Sequence, residues 1–171
     1  SLLIGGVAWS SRAVEIACRM TSEYAEGGRM RAAYTTDLPG AGSTAAAYAD
    51  VLTRASVPTR IGWWLSSHDQ PRHLGKAGDG SARDAKFLAM VLATAPGPVL
   101  IYQGEELGLV QPDLPRVAVT DPLDLLYWPD GPGREGARVP IPWDESGNWG
   151  FTTGRPWLPM TWPEGKSVAV Q

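Results

Sequence analysis

The sequence predicts an α/β chain built on parallel strands with helical crossovers. Three observations carry this expectation. Short apolar runs alternate with helical runs from Leu2 to Leu109. Two of the apolar runs end in polar, charge-bearing clusters, Ser66-Ser67-His68-Asp69-Gln70-Pro71-Arg72 and Gln103-Gly104-Glu105-Glu106. Strand-to-loop switches of this kind are where α/β proteins place their chemistry. Between them lies a helix with a clear start and stop. The resulting order, β-α-β-α-β-α-β, implies parallel strands, because each strand must return to the same edge through a crossover.

The elements follow from local chemistry. Leu2 to Trp9 is apolar and reads as a buried strand. Ser10 or Ser11 is placed to cap a helix running to about Tyr24, with Val14, Ala17, Cys18 and Thr21 on its apolar face. Gly27-Gly28 ends it. Met30 to Thr35 is a short strand, and Leu38 to Gly42 is a Pro/Gly loop. Ser43 to Arg54 is an Ala-rich helix with a weak apolar face. Pro58 to Leu65 holds the strand before the His-Asp cluster, and Leu74 to Gly80 reads as a loop. Ser81-Ala82-Arg83-Asp84 resembles a capping box. The helix it opens runs to about Ala95, with Ala85, Leu88, Ala89 and Leu92 on one face. Pro96-Gly97-Pro98 stops it, and Val99 to Gln103 reads as a buried strand. Residues 110–165 are rich in Pro, Gly and Trp and show little periodicity. A segment of that kind is usually a functional loop or a linker. The expected division is therefore 1–109 and a loop-rich extension, 110–171.

Bulk properties narrow the classes. A chain of 171 residues holds one real core but falls short of a complete eight-unit barrel, which needs about 250. The formal net charge of -3 points to neither nucleic acid nor an anionic membrane. No apolar run reaches the length of a membrane span. Ser1 to Val7 is too short and lacks the basic leader of a signal peptide. Cys18 is the single cysteine, so no intrachain disulfide forms, and a cytoplasmic home is the expectation. There are 8 Trp against 2 Phe, with 20 Gly and 15 Pro. Flat indole faces in Gly/Pro-rich loops suit the apolar C–H face of a sugar ring. The simpler alternative is that the indoles fill cores and loop undersides.

Several segments resemble one family. Ser67-His68-Asp69-Gln70-Pro71-Arg72 resembles the Asn-His-Asp motif at the end of the seventh barrel strand in the α-amylase superfamily, glycoside hydrolase family 13. Ile101-Tyr102-Gln103-Gly104-Glu105-Glu106-Leu107-Gly108 resembles its eighth-strand motif. Tyr127-Trp128-Pro129 through Gly133-Arg134-Glu135-Gly136-Ala137-Arg138-Val139-Pro140-Ile141-Pro142-Trp143-Asp144 is similar to the Arg-Asp-Gly-x-Arg-Thr-Pro-Met-Pro-Trp-Asp segment of the α-glucosidase and oligo-1,6-glucosidase branch. Phe151-Thr152-Thr153-Gly154-Arg155-Pro156-Trp157-Leu158-Pro159 is similar to the segment that follows it there, and Tyr24 to Leu38 resembles the sixth-strand region. The resemblance runs from about Leu2 to Pro163. It implies the second half, strands five to eight, of a (β/α)8 TIM barrel, with a long Pro/Gly/Trp-rich loop region at the C-terminal end.

The resemblance also implies roles. Retaining glycosidases need a nucleophilic carboxylate and an acid/base carboxylate. This family adds a third, which holds sugar hydroxyls as positive charge develops on the ring. Asp69 matches that third carboxylate, the transition-state stabiliser. His68 matches a substrate-hydroxyl donor, and Arg138 matches an Arg that reaches the innermost glucose. Arg72 and Glu105 read as a structural ion pair at the barrel rim. The family nucleophile belongs to the fourth strand, upstream of Ser1. Where the family carries its acid/base Glu, this chain has Ile4-Gly5-Gly6-Val7, so Gly6 takes that position. Glu15, Glu23 and Glu26 are poor substitutes, and Ser67 replaces the family's Asn.

Two readings follow. In the first, the chain is a piece of a retaining α-glucosidase-type hydrolase of short α-linked glucosides, catalytically incomplete alone. In the second, it is a non-catalytic half-barrel that binds sugar or protein. A half-barrel has two raw sheet edges, so it would pair with itself as a homo-oligomer or with a first-half barrel chain. A plain α/β domain with chance motif matches is the third and weakest alternative. No cofactor and no metal is implied, and neither nucleic acid nor a membrane is an expected partner.

Overall fold

The structure is a computed structural model. It describes residues 4–7, 32–35, 44–54, 61–77, 80–129 and 133–171. The helix expected after Ser10, the loop at Leu38–Gly42 and Cys18 lie outside the described residues. Two compact units are formed, Ser1–Leu65 with Lys86–Ile101, and Ser66–Ala85 with Tyr102–Gln171.

The first unit holds a four-stranded sheet in the order β1-β2-β3-β4. The strands are β1 (Ile4–Val7), β2 (Ala32–Thr35), β3 (Ile61–Trp64) and β4 (Val99–Leu100). All three pairings are parallel, with Gly6 opposite Tyr34, Thr35 opposite Trp63, and Trp64 opposite Leu100. The parallel sheet expected from the alternating elements is therefore present. Helix α1 (Ala45–Arg54) begins where the Thr44 hydroxyl accepts the Ala47 N–H at 3.3 Å. Threonine is a favoured cap because its oxygen satisfies a donor that the first turn leaves free.

Trp63 centres this unit and is fully buried. Its indole N–H donates to the Pro96 carbonyl at 2.7 Å, and its backbone N–H donates to the Pro98 carbonyl at 2.9 Å. The Pro-Gly-Pro stop is thus fastened to the neighbouring strand. Helix α3 (Ala82–Thr94) buries Leu88 and Leu92, and Ala95 continues that stripe just past its end. Ala89, expected on the buried face, is exposed. A single methyl group carries little burial energy, so the two leucines set the rotation of the helix. Tyr48 of α1 meets Phe87 edge-on at 5.5 Å.

β4 departs from expectation. Val99 to Gln103 was expected as a buried strand, yet only Val99–Leu100 is strand and its side chains are exposed. Ile101 is 64% exposed. β4 is the last strand in the order and pairs on one side only.

The second unit has a core of its own. Helix α2 (His73–Ala77) occupies part of the stretch expected as a loop. The Ser66 hydroxyl accepts the His73 N–H at 2.9 Å and caps it, and Leu74 is buried. The described residues between 110 and 165 lack periodicity but are folded. They contain helix α4 (Pro122–Leu126) and 3-10 turns at Arg116–Ala118, Glu135–Arg138 and Gly147–Gly150. Leu107, Leu109, Val139, Leu158 and Trp162 form the cluster beneath them. Indole N–H groups hold the loops together: Trp149 donates to Met160, Trp157 to Arg138 and Trp162 to Pro140, all to carbonyls and within 3.0 Å. A long ring with a polar tip can fill a core and satisfy a loop carbonyl together.

Arg72 is a buried cation of this unit, 1% exposed. Its guanidinium donates to the carbonyls of Gln103 (2.6 Å) and Ala137 (3.3 Å). It also lies 5.5 Å from the Tyr102 ring and 5.6 Å from the Trp162 ring. Burial lowers its pKa, while Tyr102, Glu105 and Glu106 oppose that shift. Burial raises the pKa of Glu105, against the Ser66 hydroxyl, the Tyr102 N–H and the charge of Arg72. Gly104 lets Arg72 come this close. Its φ of +86 is left-handed, and a Cβ there would stand 2.6 Å from Leu109 Cδ1 and 2.9 Å from Arg72 Nη1.

Candidate functional site

The His-Asp cluster leaves β3 as a tight turn. Ser66, Ser67, Gln70 and Arg72 are buried, while His68 and Asp69 face outward. The Ser67 hydroxyl accepts the Asp69 N–H at 3.2 Å, and Gln70 N–H reaches the Ser67 carbonyl at 3.4 Å. Small hydroxyl side chains close such turns by replacing backbone partners. The result exposes His68 and Asp69 and buries the residues on either side of them.

A second segment brings two arginines to Asp69. The 3-10 turn Glu135–Arg138 begins under the Asp124 carboxylate, which accepts the N–H groups of Arg134 and Glu135, each at 2.8 Å. An anion at the start of a helical turn satisfies its free donors. The turn packs closely on Gln111, and a Cβ at Gly136 would collide with the Gln111 side chain. From its two ends, Arg134 Nη1 reaches Asp69 Oδ1 at 3.0 Å and Arg138 Nη2 reaches the same oxygen at 3.1 Å. Arg138 Nε also donates to the His68 carbonyl at 2.9 Å. The imidazole Nε2 of His68 lies 3.3 Å from Asp69 Oδ2.

Three of the expected site residues, His68, Asp69 and Arg138, therefore meet. Gly6 lies in the other compact unit, in β1. Arg72 and Glu105 lie in the unit of the site but stand apart from this constellation as structural groups.

Two members were not expected. Arg134 shares Asp69 Oδ1 with Arg138. Asp121 lies behind both: its Oδ2 accepts Arg134 Nε at 2.9 Å and Arg138 Nη1 at 2.8 Å. Its Oδ1 accepts the N–H of Leu123 at 2.9 Å and of Asp124 at 3.4 Å, capping α4. The Asp121-Pro122 pair carries a sequence signal for this, an N-cap followed by proline at the first helical position. The signal announces a cap and is silent on the arginines.

The electrostatics agree with the geometry. Burial works to raise the Asp121 pKa, but hydrogen bonds from Arg134, Arg138 and the two backbone N–H groups outweigh it and hold the carboxyl at about 2. Desolvation likewise works against Arg138, and Asp121 and Asp69 together raise its pKa. A depressed carboxyl adds stability that is complete above its unfolded value of about 3.8 and fades as pH falls through about 2. The cluster is partly wetted, so the contribution is at most about 2 kcal/mol. Thermal unfolding should accordingly show a steeper loss between pH 4 and pH 2 in the unaltered chain than in Asp121→Asn. Equal slopes would contradict this assignment.

Chemically, Asp69 is a half-occupied carboxylate. Both arginines take Oδ1, leaving Oδ2 beside the His68 imidazole. Both side chains are well exposed, 52% for Asp69 and 70% for His68. An acceptor flanked by a donor matches two adjacent hydroxyls of a polyol. Exposed aromatic faces also occur in this unit, with Trp157 at 64%, Tyr127 at 62% and Trp143 at 49%. Trp157 is fixed by its bond to the Arg138 carbonyl and by edge contact with Phe151 at 5.2 Å. Among the described residues no group of three or more His, Cys, Asp or Glu is arranged to hold a metal ion. None of the described helices is long and apolar enough to cross a membrane.

Comparison with known proteins assigns the fold and lineage. The alpha amylase catalytic domain matches residues 29–171. A probable alpha-glucosidase of Rhizobium meliloti (strain 1021) is 36% identical over 98% of this chain and 31% of its own length. An oligo-1,6-glucosidase of Parageobacillus thermoglucosidasius is 34% identical over 64% of this chain and 24% of its own. Among solved structures, the alpha-glucosyl transfer enzyme XgtA superposes with a TM-score of 0.75 at 29% identity, covering 92% of this chain and 29% of that one. The chain thus spans about a quarter to a third of these relatives. Likeness over this much of the chain, in both sequence and backbone, gives the α/β barrel fold class and shows that the chain belongs to the alpha-amylase family.

Proposed function

We propose that the chain supplies strands five to eight of the (β/α)8 barrel of a retaining α-glucosidase-type glycoside hydrolase. Residues 1–109 form the half-barrel and 110–171 the loop-rich extension of the same catalytic domain. The substrates are short α-linked glucosides, in keeping with the names of its relatives. The observation that carries this is the convergence of His68, Asp69 and Arg138 around one partly open carboxylate.

Each residue has a task. Asp69 accepts hydrogen bonds from adjacent sugar hydroxyls through Oδ2. Those bonds strengthen as the ring gains positive charge, so they favour the transition state over the bound sugar. His68 donates to, or accepts from, the neighbouring hydroxyl. Arg138 fixes the carboxylate and the His68 carbonyl at once. Gly6 occupies the acid/base position and has no proton to give. With the nucleophile on an earlier strand, the chain alone binds sugar without cleaving it.

The test is a titration. Glucose or isomaltose should quench tryptophan fluorescence saturably, and Asp69→Ala should abolish the quench while leaving the thermal midpoint within a few degrees. A flat titration of the unaltered, folded chain would sink the sugar-binding reading. A second reading, a non-catalytic half-barrel that pairs through its sheet edge, is favoured by the exposed Val99, Leu100 and Ile101 at β4. A stable monomer by solution mass would exclude that pairing.

A further inference from the structure

The carboxylate of Asp121 does two jobs with two oxygens. Oδ1 caps α4 through Leu123 and Asp124, and Oδ2 receives one N–H from each of two arginines. Those arginines then converge on Oδ1 of Asp69, coming from positions four residues apart on one 3-10 turn. Asp121 has a side chain only 4% exposed, against 52% for Asp69. The arrangement runs from a buried anion, through two cations, to an exposed anion. Asp121 is itself fixed from behind, since its backbone N–H donates to Glu135 Oε2 at 2.9 Å, and Glu135 also takes the Thr120 N–H and hydroxyl.

We propose that Asp121 is a positioning residue for Asp69, acting through Arg134 and Arg138 to keep both guanidiniums on Oδ1, so that Oδ2, beside His68, stays open to sugar hydroxyls. This rests on the reading of Asp69 as the sugar-binding carboxylate. Without Asp121, Arg134 loses the partner of its Nε–H, and Arg138 keeps the His68 carbonyl but loses the partner of its Nη1. Each then has unfilled donors beside Asp69, and either oxygen of that carboxylate becomes a partner. The open acceptor next to His68 is lost, although no residue touching sugar has changed. Arg134 thereby gains a role beside Arg138, as the second arm of the same yoke.

The experiment separates capping from positioning. Asp121→Asn and Asp121→Ser both retain a side-chain oxygen for the α4 cap, and both remove the charge that holds the arginines. Each variant, in the full chain, is examined by 15N NMR of the arginine Nε–H groups and by titration with glucose. Protection of Arg134 Nε–H from exchange should be lost in both variants. Arg138 Nε–H, bound to the His68 carbonyl, should persist and report that the fold is intact. Glucose affinity should fall about 10- to 100-fold, as for other groups that orient a ligand-binding side chain from behind. Unchanged Arg134 protection, or unchanged affinity after protection is lost, would overturn the proposal. Loss of the Arg138 signal in both variants would make Asp121 a residue of the fold and would also overturn it. If the unaltered chain binds no glucose, the sugar reading of Asp69 falls, and the positioning claim stands or falls on the exchange data alone.

Discussion

Arg72→Ala should lower the stability of residues 66–85 and 102–171 by about 3–5 kcal/mol, enough to unfold a marginal unit. Arg72 is a cation inside a packed cluster. Removing it takes the Arg72 donor from the Gln103 carbonyl and leaves the Ala137 carbonyl with the Tyr102 hydroxyl alone. Each hydrogen bond to a charged group contributes about 1.5–3 kcal/mol, and an unsatisfied buried acceptor adds its own desolvation cost. The Tyr102 and Trp162 rings lose their cation as well. Arg72→Met refills much of the volume but none of the hydrogen bonds, so it should recover only the packing part. Arg72→Lys keeps the charge without the planar fork and should fall between the two. Denaturant unfolding followed by tryptophan fluorescence reads all three. A loss below about 1 kcal/mol for Arg72→Ala would mean that water replaces the guanidinium freely. The effect reaches the site, because Ala137 lies on the turn that carries Arg138.

The second large expectation concerns turnover. The purified chain should hydrolyse 4-nitrophenyl α-glucoside no faster than buffer does. General acid catalysis alone is worth about 10²–10⁴-fold, and Gly6 provides none. Covalent catalysis requires a further carboxylate, which the resemblance places on an earlier strand. Gly6→Glu by itself should therefore stay inactive. Saturable release of 4-nitrophenol by the chain, abolished in Asp69→Ala, would show that the catalytic set is complete after all.

How much of this was legible in the sequence depends on how local each signal is. The strand at Ile61–Trp64 and the helix at Ala82–Thr94 were readable, because bulky apolar runs and a Ser-Ala-Arg-Asp start act over a few residues. His68, Asp69 and Arg138 were found through motifs. Their meeting was not readable from spacing, since His68 and Arg138 stand 70 positions apart. Residues 110–165 looked structureless because their order comes from indole-to-carbonyl bonds and 3-10 turns, which leave no period. Arg134 and Asp121 were missed because a charged residue beside a glycine or a proline reads as loop chemistry. Their importance arises from a shared carboxylate oxygen. The exposure of β4 was unreadable for a different reason: apolar composition reports what a strand prefers to touch, not what lies beside it.

The unit that carries the site is discontinuous in sequence, since the chain leaves it after Ala85 and re-enters at Tyr102. That interruption has a kinetic consequence. Contacts between Asp69 and the two arginines close loops of 65 and 69 residues. Each such closure carries an entropic cost before any contact rewards it, and chains rich in distant contacts fold slowly. Helix α3 can form locally and the strands pair across 28 to 36 positions, with Ile4 opposite Ala32 and Trp63 opposite Val99, whereas the arginine yoke closes over about twice that span. The Asp69–arginine cluster is therefore expected to assemble late among the described residues. Its appearance, followed by the Trp157 environment after dilution from denaturant, is expected to lag behind helix formation.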